Sequence, residues 1–384
     1  MRFEFATATR IVFGTGAISQ AGAAVADLGQ RVLLITTDSA ELALPLRAQL
    51  EARHLPVTTL TVTGEPTVDL VAHGVQLARD AACDVLIGFG GGSVLDTGKA
   101  IAALLTNGGQ PLDYLEVIGG GKPITQRSAP CIAIPTTAGT GAEVTRNAVL
   151  AAPAHRVKVS LRSPLMLPCL AIVDPELTYS VPPHVTASTG LDALTQVIEP
   201  YVSRGANPLT DALCREGMQR AARSLRRAYD CGSDAAARED MSLVSLFGGL
   251  ALANAKLGAA HGLAGPLGGM FPAPHGATCA ALLPYVMDVN VRALTQRDRD
   301  NPACQRYAEV ARFLTGSPQA QAADGVQWVQ DLCRDLAVPP LRTYGLTEAD
   351  FATVTENAAR ASSMQGNPLR LEPEELTEIL QRAL

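Results

Sequence analysis

The chain has 384 residues, of which 47% are hydrophobic and 18% charged, and its formal net charge is −6. That length is enough for two domains with separate cores, and the composition is that of a globular protein. Several classes are excluded at once. Lys and Arg form no dense patch, and the most basic stretch, residues 220–227, is spaced among alanines and a leucine like the wet face of a helix, so no nucleic-acid partner is expected. No segment approaches the roughly 20 apolar residues that cross a bilayer, so no membrane partner is expected. The opening MRFEFATATR has no continuous apolar run, which argues against export. The eight cysteines include no CxxC pair, which suits free, buried thiols in a reducing cytoplasm and argues against a cysteine zinc site.

In chain order, β-branched apolar runs fall at 31–36 (RVLLIT), 57–62 (VTTLTV), 84–89 (DVLIGF) and 131–134 (CIAI), with helical spacing at 42–53 and 69–82 between them. Alternation of this kind predicts a parallel sheet covered on both faces. Residues 148–151 and 157–161 flank a turn at Pro153 and read as a hairpin. Pro175, Pro182 and Pro183 then punctuate a linker. Beyond it the long segments are helical: 187–202, 209–228, 235–257, 302–314, 320–336 and 347–361. The expected fold is therefore an α/β nucleotide-binding domain over 1–182 and an all-α domain over 183–384. The crease between two such domains is the default place for a ligand.

The segment Gly88-Phe-Gly-Gly-Gly-Ser-Val-Leu-Asp-Thr-Gly-Lys99 follows a strand and opens a helix. Three consecutive glycines let backbone approach a phosphate, and a helix N-terminus adds unpaired N–H groups and a positive dipole end. It matches neither of two familiar templates. Ser93 stands where GxGxxG needs its third glycine and where the P-loop needs a glycine, and Ala100 follows Lys99. Gly91, Gly92, Ser93 and Asp96 are candidate cofactor residues. Equally, Ser93 and Asp96 have capping-box spacing, and Lys99 can be a solvated helix residue. Asp38, just past the first of these strands, can accept from the adenosine ribose hydroxyls and would repel a 2′-phosphate, favouring NAD over NADP; alone it also reads as a turn residue. The loop PTTAGTGAEVT (135–145), with Thr137 and Thr140, can wrap a ribose or phosphate or can simply be a connection. Lys158, on the hairpin, can reach an anionic cofactor.

A third cluster lies in the helical half. Gly190–Glu199 reads as a helix capped by Ser188 or Thr189, with Asp192 and Gln196 four apart on one apolar-flanked face. An inward carboxylate needs a partner. His261 and His275, two of only six histidines, bracket a Gly/Pro-rich stretch. One Asp and two His can form an open divalent site, or they can be two satisfied core histidines and a capping aspartate.

Together these residues resemble the iron-containing, or group III, alcohol dehydrogenases. The matching segments are GGGSVLDTGKAIA (90–102), PTTAGTGAEVT (135–145), DPELTYSVPP (174–183), TGLDALTQVIEPYVS (189–203), and AHGLAGPLGGMFPAPHG with ALLPYVMDVN (260–290). The family is similar in fold to dehydroquinate synthase and glycerol dehydrogenase, a nucleotide-binding α/β domain followed by a helical one. The resemblance implies an NAD-dependent dehydrogenase of a small alcohol or aldehyde. It implies an NAD site lined by Asp38, Gly91, Gly92, Ser93, Thr137, Thr140 and Lys158. It also implies a divalent metal, Fe²⁺ or Zn²⁺, on Asp192, His261 and His275, through which those three act in catalysis. The family is commonly dimeric, which implies a homodimer with residues 2–13 at its interface. Two positions depart from the pattern. Gln196 stands where the family's D-A-L-T-H supplies a fourth ligand, and an amide oxygen is the weaker donor. Gly265 stands where a second histidine is usual, four residues after the first. The similar glycerol dehydrogenases hold zinc with one Asp and two His, and maleylacetate reductases work without bound metal. A metal-independent reductase of an activated or acidic carbonyl is thus a second reading, and an NAD-binding protein without catalysis a third.

Overall fold

A computed structural model describes residues 2–384 apart from 39 and 156. The chain divides into two compact units. One comprises Ala6–Thr137 and Gly141–Tyr179; the other comprises Ser180–Leu384 with Ala138–Thr140 and the segment ahead of Ala6.

The first unit is built on strands β1 (Arg10–Phe13), β2 (Val32–Thr36), β3 (Val57–Thr61), β4 (Val85–Gly90), β5 (Cys131–Pro135) and β8 (Leu170–Val173), in the order β1-β8-β5-β4-β2-β3 with every pair parallel. β6 (Asn147–Ala152) and β7 (Val157–Arg162) form the expected antiparallel hairpin. Helices α1 (Ala21–Ala26), α2 (Leu44–Glu51), α3 (Val68–Asp80), α4 (Gly92–Asn107) and the short α5 (Pro111–Tyr114) complete the unit. Strand residues alternate between two cores. Leu33, Ile35 and Leu86 pack with residues of α3 and α4, whereas Val32, Leu34, Val85 and Ile87 pack with residues of α1 and α2. This explains why the strands read as continuous apolar runs: both faces are covered. After β3 the chain recrosses β2 to form β4, so the strand order reverses between β2 and β4. Open parallel sheets bind ligands at such a switch, beyond the carboxyl ends of the strands.

The second unit contains α6 (Pro183–Val202), α7 (Pro208–Asp230), α8 (Ala235–Asn254), α9 (Ala259–Met270), α10 (His275–Arg297), α11 (Pro302–Thr315), α12 (Ala322–Asp335), α13 (Phe351–Arg360) and α14 (Pro373–Ala383) around one core. Among the described residues no single helix is long and apolar enough to cross a membrane. One expectation needs correction. α6 starts at Pro183, not at a cap on Ser188 or Thr189; both hydroxyls lie inside the helix and donate to the Val185 carbonyl, at 3.1 and 2.8 Å. The Gly/Pro-rich stretch between the two histidines is a helix for most of its length, α9, despite Pro266 within it. Packing overrides its poor helix propensity: Ala259, Ala260, Leu263 and Ala264 are at most 1% exposed.

Candidate active site

In the α/β unit, β4 runs directly into α4 through Gly90 and Gly91. A Cβ on Gly90 would stand 2.6 Å from Val94 Cγ2, so only glycine allows the helix to turn so tightly off its strand. A Cβ on Gly91 would lie 3.3 Å from Thr137 Oγ1, which brings that hydroxyl against the glycine turn. As the first residues of α4, Gly92 and Ser93 have N–H groups with no acceptor inside the helix. Bare backbone, a helix N-terminus and a hydroxyl therefore meet beyond the carboxyl end of β4. Asp38 is exposed just past the end of β2, on the other side of the switch point. The cradle fits the diphosphate of a dinucleotide.

The other residues proposed around that turn are placed differently. Gly91 is the N-cap, so Ser93 and Asp96 form no capping box. The Asp96 carboxylate accepts from the Val149 N–H at 2.9 Å and pairs with Lys99 at 2.9 Å. Lys99 is no solvated residue. It is fully buried, and its ammonium donates to the Ala142 carbonyl at 2.9 Å and to Thr145 Oγ1 at 2.8 Å. These contacts tie α4 to the far end of the Thr/Gly loop. Lys158 pairs with Glu65 at 2.8 Å. Thr140 lies in the segment 138–140, which packs with the helical unit: a Cβ on Gly139 would be 2.7 Å from Thr189 Cβ.

In the helical unit, Asp192 on α6, His261 in the first turn of α9 and His275 at the first residue of α10 are brought together. Close backbone approach makes this possible. A Cβ on Gly276 would lie 2.6 Å from the Ser188 carbonyl, so α10 begins directly against α6. His261 Nε2 is 3.4 Å and His275 Nε2 3.8 Å from Asp192 Oδ1. Asp192 Oδ1, His261 Nε2 and the Gln196 amide oxygen are all buried with no hydrogen-bond partner among the described residues. Buried polar atoms are normally satisfied, and three orphaned acceptors at one place mark a site for a cation. Metal ligation by Asp192, His261 and His275 therefore fits the residues present.

Two neighbours of this cluster were not singled out from the sequence. Glu199 lies seven residues after Asp192 on the same face of α6. Its Oε2 receives the His261 Nδ1 proton at 2.6 Å, and its Oε1 accepts from the Ala260 N–H at 2.7 Å. That bond fixes the ring and its tautomer, leaving the Nε2 lone pair free to ligate. The i, i+4, i+7 series Asp192, Gln196, Glu199 was the available signal. The second neighbour is Cys279, one turn after His275, whose Sγ lies 3.7 Å from His275 Nε2. One donor atom each from Asp192, His261, His275 and Cys279 falls within 4.8 Å of the others. Cysteine thus belongs to the candidate metal group after all. The paired spacing used to argue against it does not apply to ligands gathered from three helices.

Electrostatics agree with the geometry. Burial pushes the Asp192 carboxyl up, but the charges of His275 and His261 and a hydrogen bond from Gln196 outweigh it and hold it below the usual range. Burial pushes His261 down, and the negative charges of Cys279 and Glu199 more than reverse this. His275 is raised to about 9, chiefly by the negative charge at Cys279 against the cost of burial. An anionic cluster that attracts protons this strongly suits a divalent cation, which would displace them.

Residues 8–175 match the family model for iron-containing alcohol dehydrogenases, and residues 186–384 match the model for that family's C-terminal region. The chain is 36% identical to the choline dehydrogenase of Bacillus subtilis (strain 168), over 95% of this chain and 90% of that one. The crystal structure of a 1,3-propanediol oxidoreductase superposes with a TM-score of 0.90 at 32% identity, covering all of both chains. The sulfoacetaldehyde reductase of Bifidobacterium kashiwanohense, solved with NAD⁺, superposes with a TM-score of 0.87 at 29% identity, covering 99% of each chain. With both halves matched and the donor cluster assembled, the chain belongs to the iron-containing alcohol dehydrogenase family.

Proposed function

We propose that this chain is an NAD-dependent oxidoreductase that interconverts a small alcohol and its aldehyde or ketone, with a divalent metal held by Asp192, His261 and His275. The observation that carries the metal is the set of buried, partnerless acceptors at Asp192, Gln196 and His261. When bound, such an ion supplies Lewis acidity toward the substrate oxygen, and the nicotinamide supplies or accepts the hydride. The remaining work falls to the chain's own groups. Glu199 orients His261, and Gln196 helps to hold the Asp192 carboxyl below the usual range. Gly91, Gly92 and Ser93 receive the diphosphate at the start of α4, with Thr137 beside them and Thr140 further along the same loop. Asp38 takes the adenosine ribose and disfavours a 2′-phosphate. Asp96 acts by holding Lys99 and β6, and Lys158 lends positive charge from the hairpin. Gly265, one turn after His261, offers no proton acceptor, and a Cβ there would meet nothing within 4 Å. The substrate proton therefore leaves through water or a ribose hydroxyl.

We place the enzyme in the cytoplasm as a homodimer. The eight cysteines are all free thiols, as a reducing compartment keeps them, and the dimer follows the family's habit.

The test is NADH oxidation with a panel of small aldehydes and ketones on chelator-stripped protein, with and without added Fe²⁺ or Zn²⁺. Turnover should vanish on stripping and return with metal. Turnover indifferent to metal would overturn the metal role and leave a metal-independent reductase of an activated carbonyl.

A further inference from the structure

We infer that Cys279 is a metal ligand, so that the centre is one carboxylate, two imidazoles and one thiolate, a donor set suited to Zn²⁺ over Fe²⁺. This rests on the metal reading above and adds a ligand to it.

Four observations carry it. Cys279 is fully buried, and its Sγ is directed at a ligating nitrogen, His275 Nε2, at 3.7 Å. His275 and Cys279 are four apart on α10, so one helix face presents both. Three of the donor–donor distances match a coordination shell, and every pair lies within 4.8 Å. Bonds of about 2.0 Å to N or O and 2.3 Å to S imply tetrahedral edges of roughly 3.3 Å between N or O donors and roughly 3.5 Å between N and S. The distances here are 3.4 Å for His261 to Asp192, 3.8 Å for His275 to Asp192 and 3.7 Å for Cys279 to His275. Finally, the partners around the thiol are themselves unsatisfied: Asp192 Oδ1 and His261 Nε2 have no hydrogen-bond partner among the described residues. The other cysteines differ. Among the described residues no other metal-ligating group forms, and Cys131, Cys214 and Cys333 are buried without one.

Gln196 is the rival for the same role, since its amide oxygen is also buried and partnerless. Its side chain helps to hold the Asp192 carboxyl below the usual range. A neutral amide oxygen also brings no charge to the ion, whereas a thiolate brings a full negative charge and a soft donor. On coordination the S–H bond is broken, the proton goes to solvent and the sulfur lone pair forms the new bond. The donor count is then the same as in the family's one-Asp, three-His set, with sulfur in place of one imidazole.

Cobalt reports this directly. Metal-free full-length protein is titrated with Co²⁺, and its absorption is read in the visible, where bound tetrahedral or five-coordinate Co²⁺ shows ligand-field bands, and in the near ultraviolet, where only a thiolate ligand gives a charge-transfer band. One equivalent should produce both. In Cys279→Ser the visible bands should persist and the near-ultraviolet band should disappear; in Gln196→Ala both should remain. Under competition from Fe²⁺, the serine variant should lose Zn²⁺ affinity by at least about tenfold relative to wild type, the least that even outer-shell changes cost. Visible bands without the near-ultraviolet band in the wild-type protein would overturn the thiolate and leave the metal site standing. No cobalt bands at all would overturn the metal reading itself, and this one with it. If Cys279→Ser does not fold, Cys279→Ala and the Gln196→Ala spectrum still decide the assignment.

Discussion

The glycine turn and the donor cluster belong to the same chain but are built in opposite ways. The turn is continuous: one strand, three glycines and one helix, with side chains removed so that backbone can meet an anion. The cluster is discontinuous: α6, α9 and α10 each deliver one or two donors, and what marks it is unmet hydrogen bonding rather than open space. The first kind of site can be weakened by adding a methyl group. The second is weakened by removing an oxygen, a nitrogen or a sulfur. If the two are independent, damage to one should leave the other's ligand bound.

The largest effect is expected from Asp192→Ala. It should abolish metal-dependent turnover by at least about 100-fold, since outer-shell changes alone cost 10–100-fold. NADH should still bind, as fluorescence titration would show; loss of both would mean that the two sites are not separable. Next comes Glu199→Gln, which leaves one accepting oxygen where two serve the Ala260 N–H and His261, and turns a donor NH₂ toward one of them. Metal affinity should fall roughly 10–100-fold while Cys279 and His275 stay in place, and competition with a chromophoric chelator measures it. Gly91→Ala attacks the other region. Its Cβ would press on Thr137 Oγ1 at 3.3 Å, raising the Kd for NADH by roughly tenfold, about 1.4 kcal/mol, with metal content unchanged. Gly265→His is open at its first side-chain atom, since a Cβ there meets nothing within 4 Å. It should add to the kcat profile a dependence near pH 6.5, the ordinary histidine value; an unchanged profile would show that no proton passes there.

The last effect concerns stability. Glu143 is buried with one oxygen partnerless, and burial raises its carboxyl to about 7 against the pull of Lys99. The folded state thus binds this proton more tightly than the unfolded one. Its stabilising contribution is full below the unfolded value of 4.5 and is lost as pH rises to about 7. Glu143→Gln should therefore gain on the wild type between those limits, by up to a few kcal/mol, and hold the gain above them. Thermal melts of both proteins from pH 4 to 8 measure it, and parallel curves would refute it.

These contrasts also show what the sequence could convey. The parallel sheet, the hairpin and the glycine turn were legible because each is encoded by neighbouring residues, as continuous apolar runs, as alternation or as side chains left out. Asp192, His261 and His275 were legible only through rarity and resemblance. Glu199, Cys279 and the burial of Lys99 were not, because their partners come from distant segments. A cysteine four residues after a histidine means little until the helix carrying both is seen to start against α6. The cap assigned to Ser188 or Thr189 failed for a related reason: hydroxyls inside a helix can bond back to the preceding turn, and local pattern does not distinguish the two.

One more residue bears on when the site comes into being. Asn367 accepts the Ala259 N–H at 3.1 Å and exchanges hydrogen bonds with Asn290, joining the start of α9 and the middle of α10 to a segment close to the C-terminus. Synthesis runs from the N-terminus, so α6, α9 and α10 leave the ribosome before the residue that pins two of them together. The glycine turn can be finished early, while the metal centre can be completed only once Asn367 has been made. A chain stopped just before Gly366 should consequently still bind NADH and hold metal poorly, a difference that metal analysis of the purified fragment would reveal.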